Sequence, residues 1–96
     1  MDIDFSRLEG FEWNFGNLEH IKKHKVGYKE CEEVFFNKDI KIFKDNKHSI
    51  FEERFKIFGS SAENRKLALV VTIRNNKLRI VMARDQNKKE IGDLNN

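Results

Sequence analysis

Between residues 67 and 84 apolar and polar positions alternate with the two-residue period of a strand that buries one face. Leu67, Leu69, Val71 and Ile73 alternate with Ala68, Val70, Thr72 and Arg74. After Asn75-Asn76 the alternation resumes, with Leu78, Ile80 and Met82 set against Arg79, Val81 and Ala83. Asn tolerates the left-handed backbone that a tight two-residue turn demands, so the segment is predicted to be a β-hairpin. With Asn75-Asn76 alone as the turn, Arg74 faces Lys77, Thr72 faces Arg79 and Val71 faces Ile80, and residues that face each other share a side of the sheet. One side then carries Leu, Val, Ile and Met; the other carries Arg74, Lys77 and Arg79 over small residues. Like charges set opposite one another cost stability, so this cationic side points to an anionic partner, with nucleic acid the first candidate. The plainer alternative is that these cations solvate an open sheet face and discourage edge pairing. In the simple register Arg84 falls opposite Leu67 on the apolar side, so a bulge or the strand end must re-aim it, or its role is structural.

Upstream the period changes. Asn14 can cap a helix running to about His24, with Leu18 and Ile21 on the buried side and Lys22 and Lys23 toward water. Gly27 is a permissible cap for a second helix, whose third position is Glu30 and whose apolar stripe is Cys31, Val34 and Phe35. Residues 37–39 end that helix, 40–43 read as a short strand, 45–49 as a loop, and 53–58 as a strand closed by Gly59 and a polar turn over 60–64. After the hairpin, Asp85 can cap a short helix containing Lys88, Lys89 and Glu90. Helices grouped before strands predict an α+β domain spanning residues 1–96, two helices packed on one face of a mainly antiparallel four-stranded sheet, with a short C-terminal helix.

Composition narrows the partners less than the pattern does. Nineteen Lys plus Arg against 16 Asp plus Glu give a net charge of only +3, so the local arrangement of charge has to carry any argument for nucleic acid. The lone Cys31 excludes an intramolecular disulfide and a cysteine-based zinc cluster, and fits a reducing compartment. There is no apolar run long enough for a membrane span, and the acidic start Met1-Asp2-Ile3-Asp4 lacks the order of a secretory signal. A cytoplasmic protein with no membrane partner is expected.

The segment Phe11-Glu12-Trp13-Asn14, then Gly16-Asn17, Lys23-His24, Val26, Glu30 and Glu33-Val34-Phe35 resembles the BrnT toxin family of bacterial type II toxin-antitoxin systems. Asp45, His48-Ser49, Glu53-Arg54-Phe55, Gly59, Arg65, Thr72-Ile73-Arg74 and the run Arg79-Ile80-Val81-Met82-Ala83-Arg84-Asp85 agree in order and spacing. The resemblance covers residues 11–90 and implies a RelE-like fold, a ribonuclease that arrests translation, and a BrnA-like antitoxin that binds the toxin. Two features depart from the family pattern. Asn14 stands where Asp is usual, and after Lys89-Glu90 the chain runs Ile91-Gly92-Asp93-Leu94-Asn95-Asn96, where members continue with further basic residues and often a Tyr.

Cleavage of RNA by its own 2′-hydroxyl needs a group to take that proton, a group to protonate the leaving oxygen, and cations to steady the phosphorane; it needs no metal and no cofactor. The candidate catalytic residues are His24 and His48, which titrate near neutrality, Glu53 as a base, and Arg54, Arg79 and Arg84, whose planar guanidinium forks bind two phosphate oxygens at once. Lys23, Arg74, Lys77, Lys88 and Lys89 are candidate RNA contacts. Each has a structural alternative: His24 can serve the helix dipole at a C-terminus, His48 can be an exposed loop residue, and Glu53 or Arg54 can belong to a fold-holding ion pair. His20 and His24 stand at metal-ligand spacing, but no His-Glu-x-x-His motif accompanies them. Trp13 and the nine Phe are expected mainly in the core, as is Cys31.

The reading that joins these observations is a metal-independent endoribonuclease toxin, neutralised by a BrnA-like antitoxin in an assembly with two copies of each chain. A catalytically weak or inactive antitoxin-binding module of the same descent is the second.

Overall fold

The computed structural model describes residues 7–37, 39–48 and 51–94. In chain order these form β1 (Phe11–Glu12), α1 (Phe15–Lys22), α2 (Tyr28–Val34), β2 (Lys41–Lys44), a 3-10 turn (Asn46–His48), β3 (Arg54–Ser60), β4 (Lys66–Arg74), β5 (Lys77–Asp85) and α3 (Lys88–Leu94). The fold is α+β with one mixed five-stranded sheet in the order β1-β5-β4-β3-β2. All neighbours are antiparallel except β1 and β5. The expected four-stranded sheet is thus corrected to five: Phe11 and Glu12 lie parallel to Leu78 and Arg79, held by bonds from Leu78 N–H to the Gly10 carbonyl (2.8 Å) and from Glu9 N–H to the Asn76 carbonyl (2.7 Å). No helix among the described residues is long and apolar enough to cross a membrane.

The hairpin turns at Asn75-Asn76, whose φ angles of 55° and 61° both lie in the left-handed region. Arg74 faces Lys77, Thr72 faces Arg79 and Val71 faces Ile80, as the alternation predicts. Beyond that point the register shifts: Val70 faces Met82, Leu69 faces Ala83 and Ala68 faces Arg84. Val81 is the extra residue of a β-bulge, and everything C-terminal to it changes sides. Ala83, not Met82, therefore enters the core, and Arg84 joins Arg79 on the open face.

On the other face, Phe55, Ile57, Leu67, Leu69, Val71, Leu78, Ile80 and Ala83 pack against Ile21 of α1, Val26, and Cys31 and Val34 of α2. Asn14 caps α1 as expected: its Oδ1 accepts the Asn17 N–H at 3.1 Å while Asn17 Oδ1 accepts the Asn14 N–H at 2.7 Å. The helix ends at Lys22, earlier than predicted, because Lys25 turns the chain with a φ of 58°. Glu30, at the third position of α2, reaches back to the Gly27 N–H at 3.0 Å. Strand β3 runs through Gly59 rather than stopping there. A Cβ at that position would stand 2.7 Å from Val34 Cγ1, so the missing side chain is what lets α2 lie this close to the sheet.

Asp85 does not cap the last helix. It ends β5 and receives both arms of Arg65, at 2.6 and 3.0 Å, while Arg65 Nη1 also donates to Glu30 at 3.0 Å and to the Lys25 carbonyl at 3.0 Å. One guanidinium thereby ties the α1–α2 turn and α2 to the end of β5. The α3 cap is Asn87, whose Oδ1 accepts the Glu90 N–H at 2.8 Å while the Glu90 carboxylate accepts the Asn87 N–H at 3.0 Å.

Candidate active site

The open face of the sheet carries Arg54, Lys56 and Phe58 from β3, Ala68, Val70, Thr72 and Arg74 from β4, and Lys77, Arg79, Met82 and Arg84 from β5. It is basic, but carboxylates from flanking segments offset the repulsion expected between its cations. Arg79 donates to Glu12 at 3.0 Å, a pairing that the parallel register of β1 creates. Arg74 donates to Glu52 at 2.9 Å and Arg54 reaches the same carboxylate at 3.4 Å. Arg84 holds Glu90 with two parallel bonds of 2.7 and 2.9 Å. The hydrogen bond from Arg74 draws the Glu52 carboxyl below its ordinary range, and Arg84 pulls Glu90 down to about 2.

Three of these arginines share a cleft. Where α1 meets the open face, a cavity of about 310 Å³ is lined by Gly16, Asn17 and His20 of α1 and by Glu52, Arg54, Arg74, Arg79 and Val81. Local sequence explains the convergence. The Asn14–Asn17 cap fixes the start of α1, and Asn17 Nδ2 donates to the Glu12 carbonyl at 2.9 Å, so the helix is anchored to β1. His20 stands one turn beyond Gly16 and Asn17 and so reaches the same cavity. On the opposite wall, buried Thr72 donates its hydroxyl to the Glu53 carbonyl at 2.8 Å, which fixes the approach to β3 and with it Glu52. The bulge sets Val81 at the floor. A larger cavity, about 530 Å³, lies between α2 and the turn after β3, but its charged lining is Glu33 and Asp39, which would repel a phosphate.

The candidates named from sequence separate into those that reach the cleft and those that do not. Arg54, Arg74 and Arg79 line it. Lys77 sits opposite Arg74 at the hairpin end. Arg84 lies on the same face but at the far end, bound to Glu90, with Lys88 and Lys89 exposed on the first turn of α3. Lys23 and His24 follow the end of α1 and are exposed; His24 lies close enough to Asp85 to help hold that carboxyl low. Because α1 stops at Lys22, His20 and His24 do not share a helix face. Glu53 turns to Lys44, 3.3 Å away, and its neighbour Glu52 takes the place in the cleft. His48 ends the 3-10 turn, and its side chain lies outside the described part of the structure.

The sequence reading did not place Glu12 or Glu52 at this site and weighed His20 only for metal-ligand spacing. The cue for His20 was its three-residue spacing from Asn17, itself tied to the helix cap; nothing local marked the other two. Cys31 is fully buried, and burial pushes its thiol up to about 12, so it is no nucleophile.

Comparison with known families places the chain as a whole. No individually curated protein matches the chain. Residues 13–90 match the family described as "Ribonuclease toxin, BrnT, of type II toxin-antitoxin system", a span that runs from Trp13 to Glu90 and takes in every residue lining the cleft. With most of its length matched, the chain belongs to the BrnT family of ribonuclease toxins of type II toxin-antitoxin systems.

Proposed function

We propose that RNA is cleaved in the cleft between α1 and the open sheet face, by acid–base chemistry without a metal. The observation that carries this reading is the convergence of Arg54, Arg74 and Arg79 with His20 and Glu52 around one cavity. His20 takes the proton from a ribose 2′-hydroxyl, whose oxygen then attacks the adjacent phosphorus. Arg79 and Arg54 hold the non-bridging oxygens as their charge grows, the task for which a planar, permanently charged fork suits best. The bond from phosphorus to the 5′ oxygen breaks, leaving a 2′,3′-cyclic phosphate and a 5′-hydroxyl end. His48 is proposed, from its chemistry alone, as the acid that protonates the departing oxygen. Glu52, ionised at neutral pH, keeps Arg54 and Arg74 extended until a phosphate replaces it as their partner. Lys77 and Arg84, with Lys88 and Lys89, extend the contacts to flanking phosphates, while Glu53, His24 and Lys23 stand outside the cleft.

The toxin's partner in the cell is an antitoxin, proposed here as BrnA-like, with complementary charge and two copies of each chain in the complex. A cytoplasmic site of action follows from an RNA target. The second reading, an antitoxin-binding module without catalysis, draws on the carboxylates that already occupy Arg79, Arg74 and Arg84.

Incubation of the purified chain with RNA, with and without a chelator, separates the two. Chelator-insensitive cleavage that yields 2′,3′-cyclic phosphate ends and disappears in His20→Ala supports the enzyme. Absence of cleavage from a chain that still binds its antitoxin tightly overturns it.

A further inference from the structure

Edge strand β2 places Lys41 and Phe43 on the open face, Lys41 facing Phe58 and Phe43 facing Lys56 across the ladder. Phe43 is half exposed, although its ring is held edge-to-face against Phe58 at 5.9 Å and 70°. Beyond Lys56, Val70 and Met82 continue the same row across the sheet. Lys56 and Arg54 are two residues apart on β3 and share this face, so Phe43 lies roughly 8 Å from the cleft by strand spacing, a reach on the scale of one nucleotide. Phe36, 80% exposed, lies elsewhere, bordering the cavity lined by Glu33 and Asp39.

An aromatic face that stays exposed while its orientation is fixed, beside lysines and in line with an arginine cleft, combines the two elements of single-strand nucleic-acid recognition: a ring for a base and cations for the backbone. We propose that Phe43, braced by Phe58, is a base-stacking subsite that holds the nucleotide next to the scissile one, with Lys56 and Lys41 on its phosphate. This rests on the cleft between α1 and the sheet being the site of cleavage. Stacking tolerates any base, so the subsite sets affinity and reading position more than sequence choice.

Fluorescence anisotropy with a six-nucleotide 2′-O-methyl RNA, which binds but cannot be cleaved, tests the subsite independently of catalysis. Phe43→Ala and Phe43→Leu are each expected to weaken binding by about 5- to 100-fold, the range for one lost base stack, while Phe43→Trp retains it and Phe36→Ala changes nothing. An abasic nucleotide at the position beside the cleft should cost the native protein the same factor and cost Phe43→Ala nothing further. Thermal melting of each variant establishes that the fold is intact. Unchanged affinity in Phe43→Ala overturns the subsite, as does full affinity in Phe43→Leu, which would mean apolar contact without stacking. Loss of antitoxin capture with RNA binding intact would reassign Phe43 to the partner protein and also overturn it. If Arg79→Ala weakens binding while Phe43→Ala does not, the subsite fails and the cleft stands. If no variant of the cleft affects RNA, the proposed function fails as well.

Discussion

Arg79 bears on the fold and, in the proposed mechanism, on the chemistry. The alternation along β5 places it on the polar face, and the sequence alone suggested that its removal would relieve repulsion from Arg74 or Lys77. The structure supplies Glu12 at 3.0 Å, with the Arg79 side chain only 17% exposed, so Arg79→Ala leaves a half-buried carboxylate without its cation. The expected cost is about 1 kcal/mol, small because water still reaches the pair. Loss of a phosphorane-stabilising donor should instead lower cleavage by about a hundredfold or more. Val71→Ala makes the opposite trade: fully buried against the helices, it should destabilise the domain by about 2 kcal/mol, with cleavage per folded molecule nearly unchanged. Melting curves and cleavage rates taken side by side decide the matter. If Arg79→Ala unfolds the chain while Val71→Ala does not, the assignment of faces is inverted.

The elements differ in how far local sequence reveals them. The hairpin was legible because two nine-residue strands repeat a period of two around a pair of Asn residues, and both helices because their caps sit beside their apolar stripes. β1 was not, since two residues carry no period and its parallel pairing with β5 joins segments far apart in the chain. Nor was the location of the bulge: Val81 and Met82 are both apolar, so alternation does not say which is extra, and the misplacement of Arg84 left a bulge, the strand end and a structural role all open. The cleft inherits both gaps. Arg74 and Arg79 were legible from strand phase and Arg54 only by its chemistry, whereas His20 and Glu52 enter only when α1 docks beside β5 and the segment before β3 is pinned by Thr72. The contact of α2 with β3 offers a test at this scale. Gly59→Ala drives a methyl group to 2.7 Å from Val34 Cγ1 and should cost about 1 to 3 kcal/mol in chemical denaturation, with Val34→Ala in the same chain relieving part of the strain. If the two costs simply add, α2 is not held against Gly59.

At the scale of the whole molecule, ion pairs tie peripheral segments to the sheet. Arg65 joins the two helices to β5, Glu52 joins the segment before β3 to β4, and Glu90 joins α3, which buries no residue of its own, to the open face. In each network a carboxyl is held below its ordinary value by a guanidinium: Asp85 by Arg65, Glu52 chiefly by Arg74, and Glu90 by Arg84. The sign follows from linkage. A carboxyl whose folded value is depressed contributes stability that is complete above its unfolded value and vanishes as the pH falls through the folded one. For Glu90 that window opens near 4.5 and closes near 2, and solvent screening keeps its share to about 2 kcal/mol or less. The arginines stay charged throughout and add no pH dependence of their own. The denaturation midpoint should therefore hold steady from pH 7 to 5 and fall steeply between 4.5 and 2. Amide exchange in α3 should rise before the sheet loosens, because Glu90 and its cap are what hold that helix. Glu90→Gln at pH 7 should reproduce the loosening of α3 alone. A midpoint that is unchanged at pH 3, or an α3 as protected as β4 at that pH, would mean that packing rather than these pairs secures the last helix.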